Sequence, residues 1–279
     1  MLPPPKYILV SSPGRSGTLF LSQVFAACRD TTSEHEPQPH LLSSYHYSQT
    51  SNNSECSEAV ALKAAAIQHS RSSSGSSTYC ITDHTLLHGS NFEEVISQLK
   101  LATSCSDDEI AIVVSKRPAA EVVRSRAQLK HGTAYKKNNQ TMYRGVGWIY
   151  TPSSPLSNLA PPSDRPDSDL TQFEILAGYV LSAQKVGDML LSNKTTSGLR
   201  VYDIHMHEFS SSNAVRKMLH FLNLTFNESS LNKIIAAGKV NERSGEKQEK
   251  KAQHNDEDVP TDITFYETII NNYKNQITT

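Results

Sequence analysis

The sequence predicts an α/β domain with a mostly parallel central sheet and helices on both faces. Three observations predict it. A β-branched and apolar run from Lys6 to Ser12 breaks at Pro13-Gly14 and passes into a helical pattern from Thr18, all within the first 28 residues. The segment Glu109 to Ser115 (EIAIVVS) is a near-continuous apolar run of strand length, as a parallel strand buried on both faces requires. Along the chain the pattern reads β-α-α-β-α-β-α-loop-α-β-α-α, the alternation of crossover helices laid over a parallel sheet.

In order, Lys6 to Ser12 is the first strand, and Thr18 to Cys28 the first helix, with Leu19, Val24 and Ala27 near helical spacing. Residues 42 to 57, rich in Ser, Asn, Tyr and His, read as loop. Glu55 to Ser70 is helical by propensity, and Ser70 to Ser77 reads as a Ser/Gly linker. Thr78 to Thr82 is a second strand, Asn91 to Leu101 a helix with Glu93 and Glu94 in its first turn, and Glu109 to Ser115 the central strand. Pro118 suits the first position of a helix running to about Lys130. Residues 131 to 168 show little periodicity and several prolines. A loop that long in a compact domain is usually a lid or a substrate wall. Leu170 to Ser192 is a long amphipathic helix and Leu199 to Ile204 a strand. Asn213 to Leu222 and Ser229 to Ala237 are shorter helices. A charged segment spans 241 to 258, and Ile263 to Tyr273 forms a closing helix.

Composition narrows the function classes. The 279 residues suit one domain spanning 1–279. With 27 Lys+Arg against 28 Asp+Glu there is no basic surplus for a nucleic-acid partner. No apolar run approaches the roughly 18 to 20 residues that cross a bilayer, and the N-terminal apolar stretch is too short for a signal-peptide core. Four cysteines without a CxxC pair fit neither a zinc site nor a disulfide framework. They read as unpaired thiols of a cytoplasmic protein with no membrane partner.

The sharpest motif is Ser12-Pro13-Gly14-Arg15-Ser16-Gly17-Thr18, set between a strand and a helix. Such a turn aims backbone N–H groups and the helix dipole at an anion, and its glycines allow close approach. Ser16 and Thr18 add hydroxyls and Arg15 a permanent charge. A nucleoside-triphosphatase loop needs Lys directly after its second glycine. Here Thr18 follows Gly17 and the cation precedes Ser16. A second motif follows EIAIVVS: Arg117 ends the strand and Ser125 lies eight residues on, just over two helical turns, so both side chains can converge on one phosphate.

The order R-S-G-T resembles the 5′-phosphosulfate loop of sulfotransferases that use 3′-phosphoadenosine 5′-phosphosulfate (PAPS). The Arg117/Ser125 spacing resembles that family's 3′-phosphate site. The resemblance implies a P-loop sulfotransferase-like fold in which Gly14, Arg15, Ser16, Gly17, Thr18 and Leu19 bind the donor together with Arg117 and Ser125. Cytosolic members close the cofactor site with a basic RKG segment. The run Asn241 to Lys247 is a looser match that makes Arg243 and Lys247 candidates. No metal is implied, and no carboxylate cluster suited to one stands out.

Sulfuryl transfer needs in-line attack, charge stabilisation at the leaving phosphate and a base on the nucleophile. Two segments offer the base. Glu36 lies 21 residues past Arg15 and directly before Pro37, resembling the catalytic Glu of carbohydrate- and tyrosyl-protein-type members. His84, in Thr82-Asp83-His84-Thr85, resembles the His of cytosolic members, although Asp83 intrudes and no proline follows. Glu36 is the favoured base, held extended by Pro37, with His84 second and His35 and Glu34 behind them. The acceptor is expected to be a small molecule or carbohydrate offering a hydroxyl or an amine. The competing classes are a P-loop nucleotide kinase or NTPase, and a non-catalytic binder of adenosine 3′,5′-bisphosphate.

Overall fold

The computed structural model describes residues 2–37, 53–83, 92–137, 140–143, 172–193, 198–238 and 259–278. Five strands form one sheet: β1 (Tyr7–Ser11), β2 (Thr31–Glu34), β3 (Thr78–Ile81), β4 (Ile110–Lys116) and β7 (Arg200–His205), in the spatial order β2-β3-β1-β4-β7. Every pairing in it is parallel, with Leu9 opposite both Ile81 and Ile112, and Val113 opposite Tyr202. A separate antiparallel hairpin joins β5 (Ala134–Lys137) to β6 (Gln140–Tyr143).

Eight helices cover the sheet among the described residues: α1 (Thr18–Ala26), α2 (Asn53–Ser74), α3 (Phe92–Thr103), α4 (Ala119–Ala127), α5 (Gln172–Asn193), α6 (Ser212–Phe221), α7 (Glu228–Ala237) and α8 (Ile263–Thr278). Right-handed crossovers decide which face each takes. The step from β1 out to β2 runs opposite to the steps β2→β3, β3→β4 and β4→β7, so α1 falls on one face and α2 to α5 on the other. The core divides accordingly. Tyr7, Leu9, Ile110, Ile112 and Val114 pack with α2 to α5 and α8, while Ile8, Val10, Ala111 and Val113 pack with α1, α6 and α7. Alternate residues of β1 and β4 therefore feed two different apolar layers, which is why both strands are apolar without a break.

Several expectations are corrected. β2 was not anticipated: its sequence TTSE is polar and half-buried, because it is the edge strand, paired on one side only. Helix α2 runs on to Ser74, through most of the stretch expected as a Ser/Gly linker. The segment 131–168 is not structureless where described, since β5 and β6 lie in it. Glu36 is not extended: its φ is +51°, a left-handed conformation that proline at the next position disfavours. Among the described residues no helix is long and apolar enough to cross a membrane. Cys28, Cys80 and Cys105 are buried free thiols, and burial pushes the Cys28 thiol up to about 12.

Gly17 ties the turn after β1 to the α1 face. It caps α1 at φ +80°, and a Cβ there would overlap the ring of Phe209, which itself stacks on Phe20 at 4.8 Å. Gly17→Ala combines left-handed strain with overpacking and is expected to cost about 2–5 kcal/mol of stability. Urea unfolding of the variant against the parent protein measures it.

Candidate functional site

Because every sheet strand runs the same way, the carboxyl ends of all five meet at one edge. Ser12–Thr18 follow β1, His35–Pro37 follow β2, Thr82 and Asp83 follow β3, Arg117 follows β4, and His205 ends β7. Adjacent strands lie about 4.8 Å apart, so β2's end is two strand spacings from the β1 loop. The connection leaving β1 turns to one face and the connection leaving β4 to the other, opening a crevice between them at the position where parallel sheets bind ligands.

The β1 loop is held by its carbonyls. That of Pro13 accepts from Arg126 Nε and Nη2 at 3.2 and 3.0 Å. Gly14's accepts from Ser16 Oγ at 3.2 Å, Arg15's from Arg117 Nη1 at 2.8 Å, and Ser16's from Ser115 Oγ at 2.6 Å. In a trans peptide the N–H points opposite to the preceding C=O. Drawing these four carbonyls onto side-chain donors therefore turns the following amides to the other side. Gly14 N–H is taken by Ser12 Oγ at 3.1 Å, and Gly17, the N-cap of α1, supplies no side-chain cap to the helix's first turn. Amides and helix dipole together favour an anion here.

Arg15, Arg117 and Ser125, read separately from the sequence, are brought together. Arg15 Nε donates to Ser125 Oγ at 3.2 Å, and Arg117 holds the Arg15 carbonyl while its Nε donates to Glu121 at 2.9 Å. Gln184 on α5 fixes the Arg117 carbonyl at 2.8 Å. Ser16 and Thr18 are buried, Ser16 fully so, and Arg15, Gly17 and Leu19 are half-buried. Arg15 stands at φ +53°, a strained conformation for a residue with a side chain. Glu36 lies beyond β2 with its carboxylate 4.0 Å from His35 Nε2. His84, Arg243 and Lys247 lie outside the described residues, as do all of 144–168 and 241–258.

Beside the loop is a cavity of about 300 Å³ bounded by Ser11–Pro13, Val114–Pro118, Ala183, Gln184, Gly187, Asp188 and His205. Ser11, 1% exposed, lines it, and its hydroxyl has no hydrogen-bond partner among the described residues. Lys116 lies at the rim, 3.4 Å from Asp188. Among the described residues no group of three or more His, Cys, Asp or Glu side chains is arranged to hold a metal ion.

The sequence reading missed Arg126, Tyr179, Lys63 and Asp83. Arg126 is fully buried, its guanidinium lies 4.3 Å over the Tyr179 ring, and its Nη2 donates to the Tyr179 hydroxyl at 3.2 Å. Burial pushes the Tyr179 pKa up, Arg126 draws it down, and the nearby Asp83 and Glu36 carboxylates push it up again. Lys63 and Asp83 form an ion pair at 2.9 Å with both side chains 0% exposed. The one available signal was positional: Arg126 follows Ser125 directly, about 100° further round α4.

No protein-family model matches the sequence, and no curated protein matches it. Among solved structures the chain is similar to the sulfotransferase domain from the Synechococcus PCC 7002 olefin synthase, at 13% identity and a TM-score of 0.47, over 82% of this chain and 76% of that one.

Arg126→Met leaves the Pro13 carbonyl and the Tyr179 hydroxyl without their buried donor, and a loss of about 2–5 kcal/mol is expected. Tyr179→Phe keeps the ring under the guanidinium and should cost only about 1 kcal/mol. Denaturant unfolding of the two variants gives the order.

Proposed function

We propose that this protein is a PAPS-dependent sulfotransferase that moves a sulfuryl group to a hydroxyl or amine of a small-molecule or carbohydrate acceptor. The observation that carries this reading is the convergence of Arg15, Arg117 and Ser125 at the switch point of a parallel sheet, beside a loop whose carbonyls at residues 13 to 16 are turned onto donors. Two cations and a hydroxyl meeting there suit a ligand with phosphates at two ends, the 5′-phosphosulfate on the β1 loop and the 3′-phosphate at Arg117 and Ser125. The cavity against Val114, Ala183 and Gly187 has the size and mixed lining for the nucleoside between them.

In this reading the acceptor's oxygen or nitrogen attacks sulfur in line, a new S–O or S–N bond forms, and the bond to the 5′-phosphate oxygen breaks. Arg15, Thr18 and the loop amides stabilise the charge that gathers on the leaving phosphate. Glu36 accepts the acceptor's proton. The order R-S-G-T, with no Lys after Gly17, speaks against ATP and magnesium as the ligand.

Calorimetric titration tests the ligand. Adenosine 3′,5′-bisphosphate should bind more tightly than ATP–magnesium, and Arg117→Ala or Ser125→Ala should weaken it while leaving 5′-AMP nearly unchanged. Equal losses for both nucleotides would assign these residues to the fold instead. Release of adenosine 3′,5′-bisphosphate from PAPS, with water or a panel of alcohols, phenols and sugars as acceptor, tests the chemistry. Arg15→Ala should lose on the order of 2–4 kcal/mol of transition-state stabilisation. Glu36→Gln should keep donor affinity while turnover falls roughly 10²–10⁴-fold. An active Glu36→Gln protein beside a dead His84→Ala protein would move the base to His84.

A further inference from the structure

We propose that the buried Lys63–Asp83 pair is a positioning device for Glu36. The inference rests on the reading of Glu36 as the base.

Both side chains are 0% exposed and their charged atoms are 2.9 Å apart. Stripping water from two charges costs several kcal/mol each, and well-packed apolar residues in their place are often as stable or more so. Stability alone is therefore a weak reason for an ion pair here. A further contact of Lys63 says more. Lys63 Nζ, reaching from the middle of α2, also donates to the carbonyl of Pro37, the residue that follows Glu36. Asp83 holds the ammonium from the end of β3.

That contact completes a clamp on the turn after β2. The Glu34 carbonyl accepts from Thr82 N at 3.0 Å and from Thr82 Oγ1 at 3.2 Å. His35 Nδ1 donates to the Thr82 carbonyl at 3.1 Å. Lys63 takes the carbonyl of Pro37. Residues 34, 35 and 37 are thus fixed to β3's tail and to α2, and Glu36 is the one between them, at φ +51° before a proline. A free turn would relax from that conformation. The clamp opposes the relaxation and so sets where the carboxylate points. Lys63 and Asp83 lie on elements that carry none of the proposed donor contacts, so their influence falls on the acceptor side of the reaction.

The test is a cycle of Lys63→Met and Glu36→Gln, scored by release of adenosine 3′,5′-bisphosphate from PAPS with the same acceptor panel and by calorimetric affinity for adenosine 3′,5′-bisphosphate. Lys63→Met/Asp83→Asn, which leaves no lone buried charge, is carried alongside in case the single variant does not fold. The expected result is unchanged nucleotide affinity, a fall in turnover on the order of 10²-fold for a displaced base, and almost no further fall when the change is made in the Glu36→Gln protein. An equal fall in both backgrounds would overturn the positioning role and leave Glu36 as base untouched. Normal turnover in Lys63→Met would do the same, and so would failure of both Lys63 variants to fold, the mark of a pair that serves the fold alone. Full activity in Glu36→Gln by itself would remove the base, and this inference with it.

Discussion

The working edge of this molecule depends on one constraint: the carbonyls of residues 13 to 16 are drawn onto side-chain donors. A turn of glycines and small residues has no intrinsic reason to present amides in one direction. Arg126, Ser16, Arg117 and Ser115 supply that reason, and three of the four come from β4, α4 and the turn between them. The parallel pairing of β1 with β4 sets their distance, since Ser11 lies opposite Val114 and Ser115 is the next residue. The apolar alternation that buries both strands is thus also what brings a second strand's polar end residues against the loop. Fold and loop geometry rest on the same register.

From there the edge divides into two halves. On the β4 side, Arg15, Arg117 and Ser125 converge beside the cavity under α5. On the β3 side, Glu34 to Pro37 is pinned by Thr82 and Lys63. Between them Tyr179 stacks under Arg126, which grips Pro13, and also feels the carboxylates of Asp83 and Glu36. The proposed transfer from a bound donor to a separate acceptor would need both halves held at a fixed spacing. A buried aromatic under a buried guanidinium is a stiff spacer.

Much of this was legible in the residues. EIAIVVS and KYILVSS announce central parallel strands because burial on both faces leaves no polar positions to confuse the pattern. The loop and the Arg117/Ser125 spacing were legible for the complementary reason: each sits directly after such a strand, so topology carries it to the same edge. What was hidden has a common physical cause. The polar edge strand β2 pairs on one side only and shows no apolar alternation. Lys63 sits in an alanine-rich helix where propensity reads any lysine as solvated, and Arg126 in a helix already accounted for by Ser125. Buried charges are specified by partners distant in sequence, and no local pattern reports them.

The left-handed backbone at Arg15 and Glu36 follows from the same logic. Both residues hold φ near +50°, and neither has a side chain that favours it. Such a conformation persists only where the surroundings over-determine it, and both surroundings are visible. The Arg15 carbonyl is held by Arg117, and its side chain by Ser125. The Glu36 turn is held at Glu34, His35 and Pro37. Both proposed functional side chains therefore sit on backbones that the edge has to force. A glycine at either place would relieve the strain and lose the group, whereas a clamp keeps the group and fixes its direction.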